Sequence, residues 1–141
     1  MNRIVTLSLV LMAPAVWASE LASLIDLPVA GTALVPYSQY RDAAPHAART
    51  DSPVDVALSV VGPFEGARQL IVQVNEGAES PSASRVTVIR DGLLDDAKRS
   101  ERWDIALTRT AAGTWEIREV AKAWLCWRGA MAAGFAAKPC P

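Results

Sequence analysis

Few side chains in this chain of 141 residues are of types that could do chemistry, and they are widely spaced. Cys126 and Cys140 are its two cysteines, and His46 is its single histidine. Asp91, Asp95 and Asp96 cluster in "RDGLLDDAKRSER", and Trp124, Trp127 and Arg128 flank Cys126. The cysteine spacing excludes a C-x-x-C redox motif, and a zinc site would need more ligands than one His can add. In an oxidising compartment two cysteines read as one disulfide, so Cys126 and Cys140 are expected to form a structural bridge. The three aspartates lack the alternation of a calcium loop and are interrupted by Leu93 and Leu94, which favours a solvated connector. No G-x-S-x-G elbow, P-loop or H-E-x-x-H is present, so no catalytic residue, cofactor or metal is expected. A pair of carboxylates could still hydrolyse glycosidic bonds, but only if the fold turned two of them to face each other.

The compartment is read from the other end. "MNRIVTLSLVLMAPAVWASE" has a basic start at Arg3, an apolar run from Ile4 to Val16, and Val16-Trp17-Ala18 as a small-x-small cleavage site. The run is shorter than the ~20 residues that span a bilayer. Residues 1–18 are therefore expected to be a signal peptide and the mature protein to be exported, periplasmic or secreted. A retained N-terminal anchor is the competing reading. No cysteine follows the run to carry a lipid, so no membrane association is expected after cleavage. Loss of Arg3 leaves 13 of the 14 basic residues against 15 acidic ones. With no basic stripe, nucleic acid is not an expected partner.

Two regions follow the signal. Residues 19–50 read as an irregular arm, with a short helix carrying Leu21, Leu24 and Ile25 and ended by Pro28. Residues 51–141 read as one α+β domain. In "SPVDVALSVVGP", Ser52 is an N-cap, Pro53 suits the first helical position and Gly62-Pro63 is a stop. Val54, Ala57, Leu58 and Val61 would form its buried stripe, although the β-branched residues leave a strand open. "RQLIVQVN", "RVTVIRD" and "ERWDIALTRT" alternate as strands, and the turn "AAG" leads into "TWEIREVAKAWLCW". That last segment fits a strand face of Trp115, Ile117, Ala121, Ala123, Leu125 and Trp127, but also a helical stripe. Pairing with 102–110 favours the strand, since a helix would leave an unpaired edge. One short helix on a four-stranded antiparallel sheet is expected, cystatin-like or nuclear-transport-factor-like in shape, and such a shape implies no function.

The strand leading into Asp91-Gly92-Leu93-Leu94-Asp95-Asp96, the hairpin carrying Trp103 and Trp115, and the ending from "CWRG" to "PCP" together resemble a group of small exported bacterial proteins with a D-G-L-x-D-D turn and a C-W-x-G to P-C terminus. The resemblance covers roughly the last 75 residues and implies architecture and paired cysteines, but no activity.

Trp103 and Trp115 share faces with Ile and Leu and read as core. Trp124 would share a face with Glu116, Arg118 and Lys122 and be partly exposed. Trp and Arg anchor interfaces, so Trp124, Trp127 and Arg128 are the candidate binding residues, against the alternative that the arm or tail covers Trp124. The expected role is a non-catalytic exported protein that binds an envelope or extracellular protein or another envelope component. The alternatives are an inhibitor or immunity-type protein that inserts the loop "NEGAESPSAS" into a hydrolase, and a weak carboxylate-based hydrolase. N-terminal sequencing of the exported protein should read Ser-Glu-Leu from Ser19; a protein that keeps Met1 in the envelope would overturn the cleavage assignment.

Overall fold

The computed structural model describes residues 24–43 and 50–141. The signal segment 1–18, Leu21 and His46 lie outside the described residues. The described elements are strand β1 (Ala33–Leu34), helix α1 (Tyr37–Tyr40), helix α2 (Pro53–Val61), and strands β2 (Arg68–Asn75), β3 (Ala83–Asp91), β4 (Lys98–Arg109) and β5 (Trp115–Cys126). Short 3-10 turns occupy Arg41–Ala43 and Ala130–Ala132.

α2 has the capping chemistry its sequence implies. Ser52 Oγ accepts the Asp55 N–H at 3.3 Å. Pro53 opens the first turn, and the Gly62 N–H closes the last on Leu58 O at 2.9 Å. An oxygen-bearing N-cap followed by proline at the first helical position is a favoured helix start, and these local signals defeat the strand reading of the valines. The buried stripe differs from the expected one. Pro53, Val56, Ala57 and Val61 are buried, while Val54 and Leu58 sit at the margin, because the helix lies mainly over β3 and presents the Val56 side to it.

All strands pair antiparallel in the order β1-β5-β4-β3-β2. The sheet therefore has five strands, not the four expected. The fifth is β1, where Ala33 and Leu34 pair with Lys122 and Ala121 and the Val35 N–H reaches Val120 O at 2.8 Å. A two-residue strand carries no periodicity, but β5 would otherwise expose unpaired main-chain groups along this edge. The last segment is a strand throughout.

One residue reorganises β5. Ala106 pairs with Glu119 and Leu107 with Ile117, so Arg118 is an extra residue in a β-bulge. The alternation shifts by one at this point. Trp115 and Ile117 then join Val120 on the face covered by α2, with Val86, Val88, Ile105, Leu107 and Tyr40. Ala123 and Leu125 lie on the opposite face with Ile89, Leu24 and Phe135. The single face expected to run from Trp115 to Trp127 is thus divided between two cores. Trp115 is buried, and its Nε1–H donates to Asp51 O at 2.9 Å; Trp103 is half-buried against the helix-side core.

The second core is roofed by the two ends of the described chain. Leu24 and Ile25 are helical, and Val29 then runs parallel to Phe135, with Phe135 N–H on Pro28 O and Ala30 N–H on Phe135 O, both at 2.8 Å. Gly134 permits the crossing, since a Cβ there would sit 2.5 Å from Pro28 O. Ala136 and Trp124 exchange main-chain hydrogen bonds at 3.0 Å, and the Cys126–Cys140 disulfide closes the tail, as expected. At this end of the sheet buried Asp91 accepts from Arg68 and Ser100 and pairs with Arg99 at 3.4 Å, tying β2 and β4 to β3.

Closing a loop of this size is worth about 3 kcal/mol, and truncating a buried Phe about 3–5 kcal/mol. In urea unfolding, Cys140→Ser and Phe135→Ala should each lose stability in those ranges. The double variant should lose less than the sum, because both substitutions release the same tail. Additive losses would show that the tail is held in two independent parts.

Candidate functional site

The residues singled out from sequence gather at the end of the sheet that carries the disulfide, around the β3–β4 turn. That turn is shaped by Asp95, whose carboxylate accepts the N–H groups of Ala97 at 2.9 Å and Lys98 at 2.8 Å. These two bonds favour the ionised form and hold the Asp95 carboxyl below its usual range. Gly92 enters the turn at φ +66°, with its Cα close against Ala67, where a Cβ would come within 2.7 Å. Glycine alone meets both demands without strain, having no Cβ.

Trp127 and Arg128 dock on this turn. Trp127 donates its Nε1–H to Asp95 O at 3.1 Å and its main-chain N–H to Ala97 O at 3.0 Å. Arg128 donates to Asp96 O at 3.4 Å. The Arg99 guanidinium stands 5.6 Å from the centroid of the Trp127 ring. At that separation the ring quadrupole attracts the cation. Trp127 is nonetheless 48 % exposed, so its indole is oriented by its polar edge while much of its apolar surface remains in solvent.

Trp124 belongs to a different group. It is half-buried, on the α2 side of the sheet, with the Lys122 ammonium 5.5 Å from its ring centroid and 4.0 Å from that of Trp103. Lys122 Nζ reaches Glu101 Oε2 at 2.8 Å, and Lys98 Nζ approaches the same oxygen at 3.5 Å. The expected face of Trp124, Glu116, Arg118 and Lys122 does not form, because the bulge at Arg118 ends the alternation between Lys122 and Glu116. Trp124, Asp95, Lys98 and Cys140 line a small hollow of about 180 Å³. Trp124 and Trp127 therefore flank the disulfide as two groups, and only Trp127 and Arg128 form a joint patch.

Sequence alone does not single out Lys122, Glu101 and Arg99, because the first two acquire their roles by cross-strand pairing and Arg99 stands at a register shift between Lys98 and Ser100. The one local hint was Lys122 two residues from Trp124 on a strand. Arg90 completes the α2 side. It is buried, donates to Val61 O at 3.2 Å, to Gly62 O and to Gln69 Oε1 at 3.1 Å, and so ties the C-terminal end of α2 to the sheet. Desolvation lowers its pKa, against the pull of Glu101 and Glu65. With Lys98, Glu65 and Glu101 it borders a polar hollow of about 250 Å³.

Burial by itself would raise the Glu101 carboxyl, but the hydrogen bond and charge of Lys122, with Lys98 beyond, outweigh it and leave the pKa below the usual range. Trp103 Nε1 is buried near Glu101 without a well-formed hydrogen bond. Glu101 and Lys122 are thus engaged with each other, and Lys122 with the rings of Trp103 and Trp124 as well. No protein-family model matches the chain, and no curated protein or solved structure is significantly similar to it.

Asp91, Glu101 and Asp104 are all lowered despite burial, Asp104 through Arg102 and Thr87. A depressed folded-state pKa contributes stability that is present above the unfolded value, ~4, and is lost as pH falls through the folded value. Unfolding midpoints should therefore be level from neutral pH to about 5 and decline steeply below about 4. Glu101→Gln should be less stable than the parent near neutral pH, and the gap should narrow in acid as the parent's carboxylate is protonated. A gap independent of pH would remove the ion pair from the account.

Proposed function

We propose that this protein is an exported, non-catalytic binding protein of the bacterial envelope, periplasmic or secreted, and that it engages another protein or an envelope component through the patch formed by Trp127, Arg128 and Arg99. The observation that carries this reading is the state of Trp127. A large indole nearly half in solvent is held by two hydrogen bonds to a rigid turn and flanked by two guanidinium groups. That is the composition and preorganisation of an interface anchor. The disulfide one residue away fits a non-reducing compartment, and among the described residues no helix is long and apolar enough to cross a membrane.

A likeness to cystatin-like or nuclear-transport-factor-like shapes, a helix laid on an antiparallel sheet, adds no function to this reading. The inhibitor reading has one observation in its favour. The loop 76–82 is exposed at nearly every residue, and its base is closed by the Glu76 N–H on Ala83 O at 2.9 Å. Carboxylate-based hydrolysis has less support, since Glu101 is occupied by Lys122 and Lys98.

Affinity capture from envelope extract distinguishes these readings. Trp127→Ala should reduce recovery of the bound component more than about tenfold, the scale of an interface hot spot, while leaving the melting temperature within a few degrees of the parent. Trp124→Ala should instead lower the melting temperature, because it uncovers Lys122 and the edge held by Ala136. Undiminished capture by Trp127→Ala defeats the proposal. Capture lost only on shortening the 76–82 loop supports the inhibitor reading.

A further inference from the structure

The far end of the sheet, away from the disulfide, holds a cavity of about 510 Å³. That volume is within the range of small-molecule sites. Its walls include Val74, Ala106 and Leu107, with Arg85, Arg118 and Thr108 at polar positions. Nine arginines lie among the described residues, and seven of them hold a hydrogen bond or ion pair through the guanidinium. The two that do not are Arg85 and Arg118, and both line this cavity.

The backbone is built to bring them together. Arg85 pairs with Ala106 across β3 and β4, and the β5 bulge sets both Arg118 and Glu119 opposite that same Ala106. The two successive residues of such a bulge turn to one side of the sheet, so Arg118 joins the face of Arg85, which regular alternation from Val120 would deny it. Between them the floor is a methyl group, leaving room above it. No acid among the described residues holds either guanidinium in a hydrogen bond or ion pair. Asp104, which feels the Arg85 charge, is already occupied by Arg102 and Thr87, and among the described residues Glu76 at the rim and Glu119 beside the bulge make no ion pair. Val74 at the mouth is 62 % exposed, an apolar surface next to the charges.

We propose that this cavity is a binding site for a small amphiphilic organic anion, whose carboxylate or phosphate is gripped by the Arg85 and Arg118 guanidinium groups while its apolar part lies on Val74 and Ala106. Two guanidinium forks match a planar or tetrahedral oxyanion, and neither must break a bond to another described residue to do so. The site is separate from the Trp127 patch and does not depend on that patch having a partner.

Isothermal titration of the purified exported protein with octanoate, and with octylammonium as the charge-reversed probe, tests this. Octanoate should bind saturably at one site, more weakly as salt rises, and octylammonium should not. Arg85→Gln and Arg118→Gln should each weaken octanoate about tenfold, and the double variant should abolish binding, on the scale of charge-assisted hydrogen bonds. The melting temperature of each variant should match the parent, since neither guanidinium is bonded to another described residue. Absence of saturable octanoate binding by the parent, equal binding of octylammonium, or binding that survives in the double variant would each overturn the site.

Discussion

The extra residue in β5 decides what each face of the sheet contains. Up to Glu116 and Ile117 the strand runs in one phase; beyond Arg118 it runs in the other. A strand slipped by one residue exchanges every side chain between faces, so a bulge at this position is a switch between two cores. Trp115 and Ile117 can thus pack under α2, while Ala123 and Leu125, from the same strand, pack under Phe135. In a regular strand Trp115 would have been turned away from Val120. The bulge also frees Arg118 from the alternation, and the cavity with Arg85 is the local consequence.

The two faces are then finished by different means. The α2 face is covered by a capped helix, tied down at its C-terminal end by Arg90. The other face has no helix of that length over it among the described residues. Its small side chains, Ala123 among them, leave room for chain segments to lie close, and Leu24, Pro28 and Phe135 occupy that room. Short segments with few apolar groups recover little entropy by packing alone. The paired main-chain bonds and the disulfide supply the remainder, which is why the bridge sits at the far end of the tail it fastens.

Ionic groups follow the same logic of pairing on burial. Asp91, Glu101 and Asp104 are all nearly inaccessible, and each is met by arginine or lysine from its own or a neighbouring strand. Burial of a lone carboxylate would favour its protonated form; burial with a partner keeps it charged. Against that background an indole left half in solvent at Trp127, and two arginines without a partner among the described residues at the opposite end, are departures from how the rest of the molecule satisfies its groups. Departures of this kind are where recognition is to be sought.

Much of the architecture was legible because it rests on local chemistry. Ser52, Pro53 and Gly62 delimit α2 to the residue, since caps act within one turn. Alternation marks β2 to β5, and the turn residues between them set the hairpins. The cysteine pair followed from their number and the exported reading of the N-terminus. What sequence could not specify was anything set by a neighbour distant along the chain. β1 is too short to show a period, the bulge at Arg118 leaves no local mark, and a strand's face is meaningless until its phase is known. For that reason Trp124 and Trp127, three residues apart and alike in type, separate into a clamp on Lys122 and an exposed anchor only when the pairing of β4 with β5 and the turn at Asp95 are in place.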